Sequence, residues 1–155
     1  MKAEDIEIHQ ASAGEALSVI EMVSQLLVEL GGFATFDSAT VTELCRRLLA
    51  TESYTAFLAV DAQGAPLGVI TLAEISALYV AGRLGWIQEL YVAPEARSLG
   101  VGQRLIETAE NYGQARQWKR LEVNTPDADT WPRTVAFYRR EGFEGGSFHL
   151  RKRLS

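Results

Sequence analysis

The chain holds a single cysteine, Cys45, among its 155 residues. One thiol cannot close an internal disulfide, which agrees with a reducing compartment. Basic side chains are scarce in the first half: residues 1–80 carry three (Lys2, Arg46 and Arg47) against eleven acidic ones. The net charge of −5 argues against nucleic acid as the main partner. No apolar run approaches the roughly 20 residues that a membrane helix needs. The acidic start, Met1-Lys2-Ala3-Glu4-Asp5, is unlike a signal peptide. The expected place is therefore the cytoplasm, away from membranes. Internal repeats are absent, as are a Gly-Lys-Ser/Thr P-loop and the third glycine of a dinucleotide fingerprint.

What is present suits one globular domain over residues 1–155, with 47% hydrophobic and 23% charged residues. The second half holds twelve basic side chains against nine acidic ones, so the two halves have opposite sign. That split fits an anionic cofactor held by the second half and a cationic substrate met partly by the first. A mosaic of solvated faces is the alternative.

Residues 5–9 alternate polar with apolar and predict an edge strand with Ile6 and Ile8 inward. His9 then lies on the polar face with no second His or Cys nearby, which reads as structural. From Ala13 to Leu30 the spacing of Leu17, Ile20, Val23, Leu26, Leu27 and Leu30 predicts a helix ended by Gly31-Gly32. The segment Phe33 to Asp37 is a loop whose two aromatics either meet substrate or plug the core. A second helix, capped by Ser38 or Thr40, reaches about Ala50 with Val41, Leu44, Leu48 and Leu49 inward. Strands at Tyr54–Asp61 and Leu67–Val80 form a hairpin, and a turn at 81–85 leads to a third strand from Trp86. A helix from Gly100 to about Arg116 buries Val101, Leu105, Ile106, Ala109 and Tyr112. A strand from Trp118 to Val123 ends at Asn124. A short helix capped by Asp129 or Thr130 runs to Arg140, and a last strand is clearest from Phe148 to Leu154.

Two stretches carry chemistry. In Trp86-Ile87-Gln88-Glu89-Leu90-Tyr91-Val92, strict alternation puts Trp86, Gln88, Leu90 and Val92 on one face and Ile87, Glu89 and Tyr91 on the other. A carboxylate among apolar neighbours is costly unless it is partnered, hydrated or shifted in pKa, and a raised pKa suits a general base. A cross-strand Arg or a surface strand end would also account for Glu89. The following Arg97-Ser98-Leu99-Gly100-Val101-Gly102 opens a helix. Its glycines let backbone N–H groups approach phosphate oxygens, and Arg97 adds charge.

Glu89-Leu90-Tyr91-Val92-Ala93-Pro94-Glu95, then Arg97-x-x-Gly100-x-Gly102, Asn124, and Ala136-Phe137-Tyr138-x-x-x-Gly142-Phe143 together resemble the GNAT superfamily of acetyl-CoA-dependent N-acetyltransferases. The resemblance implies an α/β (α+β) fold: a central mixed, mostly antiparallel sheet of six or seven strands with about four helices on its faces. Only about ten residues follow Gly142-Phe143, enough for one good strand or two very short ones. Backbone groups of Leu90, Tyr91 and Val92, in a strand that usually carries a bulge, would pair with the pantetheine arm of acetyl-CoA. N–H groups of Arg97, Ser98, Leu99, Gly100, Val101 and Gly102 would hold the pyrophosphate, and Asn124 would contact the arm. Tyr138 matches a general acid toward the departing thiolate, or else is a packed aromatic beside Val135. Glu89 is the matching base, and no metal is implied. The acceptor would be a small cationic amine between the helix pair, the Phe33–Asp37 loop and the turn around Arg83. A peptide N-terminus or protein lysine, or a non-catalytic acyl-CoA sensor, are the other readings, and the resemblance leaves room for a homodimer.

Overall fold

Nearly continuous apolar runs from Tyr54 to Val92 build the centre of a sheet covered on both faces, which is why they do not alternate. The computed structural model describes residues 1–31, 37–146 and 149–154. Its strands are β1 (Glu7–Gln10), β2 (Tyr54–Val60), β3 (Pro66–Ala77), β4 (Gly82–Val92) and β5 (Leu121–Val123). They lie in sequence order, antiparallel except for the parallel pair β4 and β5. The helices are α1 (Ala16–Gly31), α2 (Ser38–Leu49), α3 (Val101–Ala115) and α4 (Pro132–Arg140). No helix among the described residues is long and apolar enough to cross a membrane.

One face of the sheet carries α1 and α2. Val19, Met22 and Cys45 pack there with Leu58, Val69 and Tyr91. The other carries α3, whose Val101, Leu105 and Ile106 meet Phe57, Ile70, Leu72 and Ile87. Trp118 completes that side. A Cβ on Gly85 would overlap its ring, and one on Gly113 would come within 2.6 Å of it, so the indole fits only because both positions lack a side chain.

Several expectations change. Five strands form among the described residues, not six or seven. Residues 149–154 make no strand, and Leu150 and Leu154 find no apolar cover, being 91% and 93% exposed. Phe148 lies outside the described residues, as do Gly32 and Phe33 to Phe36, so the expected aromatic loop cannot be placed. Both helices of the first pair are rotated from the leucine stripe. In α1 the buried positions are Ala16, Val19, Ile20, Met22 and Val23, with Leu17 and Leu30 exposed. In α2 they are Thr42 and Cys45, with Leu44 exposed. Thr42 tolerates burial because its hydroxyl donates to Ser38 O at 2.7 Å. At α4 the expected Asp129 or Thr130 cap is replaced: Thr130 and Asp129 fold onto Asp127, and the helix starts at Pro132.

His9 pairs with Glu15 at 2.7 Å beside the start of α1, a structural contact as expected. Ile6 is buried and Ile8 packs on the α3 side.

Candidate active site

The bulge in β4 sets the site. Thr71 of β3 pairs with Glu89 and Leu72 pairs with Ile87, so Gln88 is extra and faces solvent. Beyond it the alternation changes phase. Ile87, Leu90 and Val92 pack on the α3 side, while Tyr91 faces the helix pair, together with Glu89 and its neighbours. This corrects the strict alternation expected from the sequence, which put Ile87 on the face of Glu89.

Glu89 is half-buried, and its partner is a hydroxyl rather than an arginine. Thr71 Oγ1 donates to Glu89 Oε2 and accepts the Glu89 backbone N–H at 3.0 Å. Cys45 of α2 and Tyr54 of β2 are close enough to feel its charge. Burial pushes the Glu89 carboxyl above the ordinary carboxylate range, and the Thr71 hydrogen bond opposes part of that rise. Tyr54 and Cys45 are pushed up as well, first by burial and then by Glu89, so both stay neutral near pH 7. Thr71 was not among the expected site residues. Its signal was a lone hydroxyl inside the apolar run Leu67-Gly68-Val69-Ile70-Thr71-Leu72.

β4 and β5 pair only through Gly85–Leu121, Trp86–Glu122 and Ile87–Val123. From Gln88 to Val92 the β5-side edge of β4 has no strand beside it among the described residues. Leu90, Tyr91 and Val92 lie on that edge. The chain then turns through Pro94–Ala96 to the start of α3.

That turn is a cluster of free donors. Ser98 (φ 70°) and Gly100 (φ 75°) both adopt left-handed backbone. Among the described residues no backbone carbonyl accepts from the N–H groups of Ser98, Leu99, Gly100, Val101, Gly102 or Gln103, and the first helical bond is Arg104 N to Gly100 O at 3.0 Å. Such a nest at a helix N-terminus suits an anion. Arg97 departs from expectation on two counts. Its backbone N–H is taken by Pro94 O at 3.3 Å. Its guanidinium lies over the Tyr91 ring, donates to Val92 O at 3.0 Å and pairs with Glu29 of α1 at 2.6 Å. The charge is thus tied to α1 instead of standing free over the turn. Gly102 has a packing reason beside the expected one: a Cβ there would lie 3.1 Å from the Phe137 ring.

Asn124, just past β5, is exposed and its Nδ2 donates to His149 Nδ1 at 2.8 Å. Tyr138 of α4 is buried in the cluster of Ile87 and Val101, edge-on to Phe137 and Phe143 at 5.3 and 5.4 Å. Its hydroxyl has no hydrogen-bond partner among the described residues, and burial alone pushes the phenol up to about 12. Glu89 and Tyr138 therefore belong to opposite faces of β4 and make no contact with each other.

Arg83 does not form part of this site. It sits six residues earlier on β4, where its guanidinium meets Glu74 and donates to Arg116 O at 2.9 Å. The cavity of about 570 Å³ there is lined by Gly82, Arg83, Gln117, Trp118 and Lys119. It offers two cations and no carboxylate, a poor match for a cationic amine.

Solved structures share this fold. An aminoglycoside acetyltransferase from an uncultured soil metagenomic sample is 25% identical, with a TM-score of 0.75 over 97% of this chain and 99% of that one. A predicted acetyltransferase from Clostridium acetobutylicum, determined with acetyl-CoA, is 16% identical, with a TM-score of 0.81 over 96% of each chain. A ribosomal-protein-alanine N-acetyltransferase from Brucella melitensis biovar Abortus 2308 is 15% identical, with a TM-score of 0.74 over 97% of this chain and 99% of that one. The family model described as Acetyltransferase (GNAT) family matches residues 20–143, from within α1 to the Phe that follows α4, and the chain belongs to that family.

Proposed function

We propose that the protein transfers an acetyl group directly from acetyl-CoA to the primary amine of a small cationic acceptor. The observation that carries this reading is the β4 edge from Gln88 to Val92, which has no strand beside it among the described residues and runs toward the N–H groups of Ser98 to Gln103, for which those residues offer no backbone acceptor. An extended arm would add to that edge as a strand does, with a diphosphate at the turn. The residues present fit that ligand: the donors are unpaired, and Gly100 leaves nothing within 4 Å of the space its Cβ would fill.

A bound acetyl thioester would supply the electrophilic carbonyl and the thiolate leaving group. Everything else falls to the chain. An ammonium has no lone pair, and with a free pKa of about 10 it must lose a proton before it attacks. Glu89 takes that proton, directly or through a water. Backbone donors at the bulge would polarise the carbonyl. Tyr138 would donate a hydrogen bond to the departing sulfur. A phenol near 12 is about 3.5 units above an ordinary thiol of about 8.5, a gap of about 5 kcal/mol, so it supplies a hydrogen bond before it supplies a whole proton.

The preference for a small cation rests on the acidic first half, and it agrees with the aminoglycoside acetyltransferase among the similar structures. A thiol-release assay with acetyl-CoA tests it against a polyamine, an aminoglycoside, an amino-acid amide, an N-terminal peptide and a lysine peptide. Release with one of the small amines is expected. Release with the peptides alone would move the substrate class, and tight acetyl-CoA binding with no release would leave a sensor.

A further inference from the structure

We propose that Thr71 is the positioning residue of the general base: it fixes the Glu89 carboxylate by one oxygen and leaves the other to take the proton from the amine. The inference rests on Glu89 being that base.

A threonine hydroxyl has one proton and two lone pairs. The proton goes to Glu89 Oε2, and one lone pair takes the Glu89 backbone N–H at 3.0 Å. The bulge makes this possible, because the extra Gln88 breaks the regular ladder just where the Thr71 side chain takes over as acceptor. A hydroxyl used this way cannot also accept a proton from Oε2 without turning its own away. Oε1 has no hydrogen-bond partner among the described residues. Proton uptake then has one place to go. An N–H bond of the ammonium breaks, an O–H bond forms on Oε1, and the electron pair stays on nitrogen for attack.

Among the described residues no nearby charge does the same work. Of the titratable groups that face Glu89, Cys45 on α2 and Tyr54 on β2 are neutral near pH 7, and Arg46 of α2 acts on Cys45 and pairs with Glu43. Removing the Thr71 hydroxyl should therefore free the carboxylate to rotate and make it harder to ionise.

Two readouts test this. The first is a ¹³C NMR titration of the glutamate carboxyls in the unliganded protein, with the Glu89 signal assigned by its loss in Glu89→Gln. The second is kcat against pH with whichever amine turns over. Thr71→Val should move the Glu89 midpoint and the acid limb of kcat to higher pH. It should lower kcat near neutrality by about ten-fold to a hundred-fold while leaving acetyl-CoA affinity within about two-fold. Thr71→Ser should restore both, and Thr71→Val should cost nothing further in a Glu89→Gln background. Should the valine methyl disturb the bulge and unfold the chain, Thr71→Ala carries the same test. A Glu89 midpoint unmoved in Thr71→Val would overturn the positioning role alone. A midpoint that moves while Glu89→Gln keeps full kcat would instead remove the base itself, and the proposal with it.

Discussion

Glu74 is the carboxylate whose loss should cost the fold most. It lies toward the end of β3, on the α3 side, and gathers Arg116 Nε at 2.7 Å, Arg116 Nη2 at 3.1 Å, Trp118 Nε1 at 2.6 Å and Arg83 Nη1 at 3.4 Å. The Arg116 hydrogen bonds, ahead of those from Trp118 and against the cost of burial, hold its pKa down to about 2 from an ordinary 4.5. Its side chain is only 11% exposed, so solvent screens this little. Holding this carboxyl near 2 instead of 4.5 corresponds to about 3 kcal/mol, the usual range for breaking a buried, hydrogen-bonded pair. Glu74→Ala should lower the unfolding free energy by about that much and Tm by roughly 6–12 °C for a chain of this size.

The cluster also fixes Trp118 between Gly85 and Gly113, and so the parallel start of β4 and β5 from which the gap opens. Acetyl-CoA affinity should therefore fall with stability. Because the folded pKa is depressed, the stabilisation is complete above the unfolded value of 4.5 and disappears as pH falls toward about 2. Urea unfolding of wild type and Glu74→Ala from pH 7 down to pH 3 gives the difference directly. It should be near 3 kcal/mol at pH 7 and shrink below about pH 4.5. A difference under about 0.5 kcal/mol at pH 7, or one that does not shrink in acid, would refute the reasoning.

Two further outcomes follow from the site. Gly102→Ala gains about 1 kcal/mol of helix propensity but presses on Phe137 at 3.1 Å, so its unfolding free energy should stay within about 1 kcal/mol of wild type while acetyl-CoA binds more weakly. Calorimetric titration and thermal unfolding separate the two effects. Tyr138→Phe removes a hydroxyl that has no partner among the described residues, so stability should change little while kcat falls by roughly ten-fold to a hundred-fold. A drop in Tm with kcat unchanged would make the phenol a packing group only.

The class of fold and the course of the chain were legible because they depend on local signals: apolar periodicity in α3, the short turn between β2 and β3, and the glycine-bearing start of α3. The faces of α1 and α2 were not. Their leucines compete with a second stripe of smaller residues, and only the tertiary partner decides which is buried, as Leu17 and Val19 show. The bulge at Gln88 was hidden for a related reason: it comes from pairing with β3, so nothing in 86–92 alone reports the change of phase. The fate of Arg97 was equally out of reach, because its partner Glu29 is 68 residues away. Glu89 could be picked out as a carboxylate in an apolar strand, but the Thr71 hydroxyl opposite it needed the register.

The central claim is that Glu89 removes a proton from an amine that then takes the acetyl group. The most direct measurement is kcat against pH for wild type and Glu89→Gln at saturating acetyl-CoA and amine, since kcat reports groups in the ternary complex. Activity needs the ionised carboxylate, so wild-type kcat should fall as pH drops through a midpoint above the ordinary carboxylate range, in line with the upward push of burial. Glu89→Gln should lose roughly ten-fold to a thousand-fold in kcat together with that acid limb, and still bind acetyl-CoA. Wild-type turnover with the same acid limb in Glu89→Gln would contradict the account.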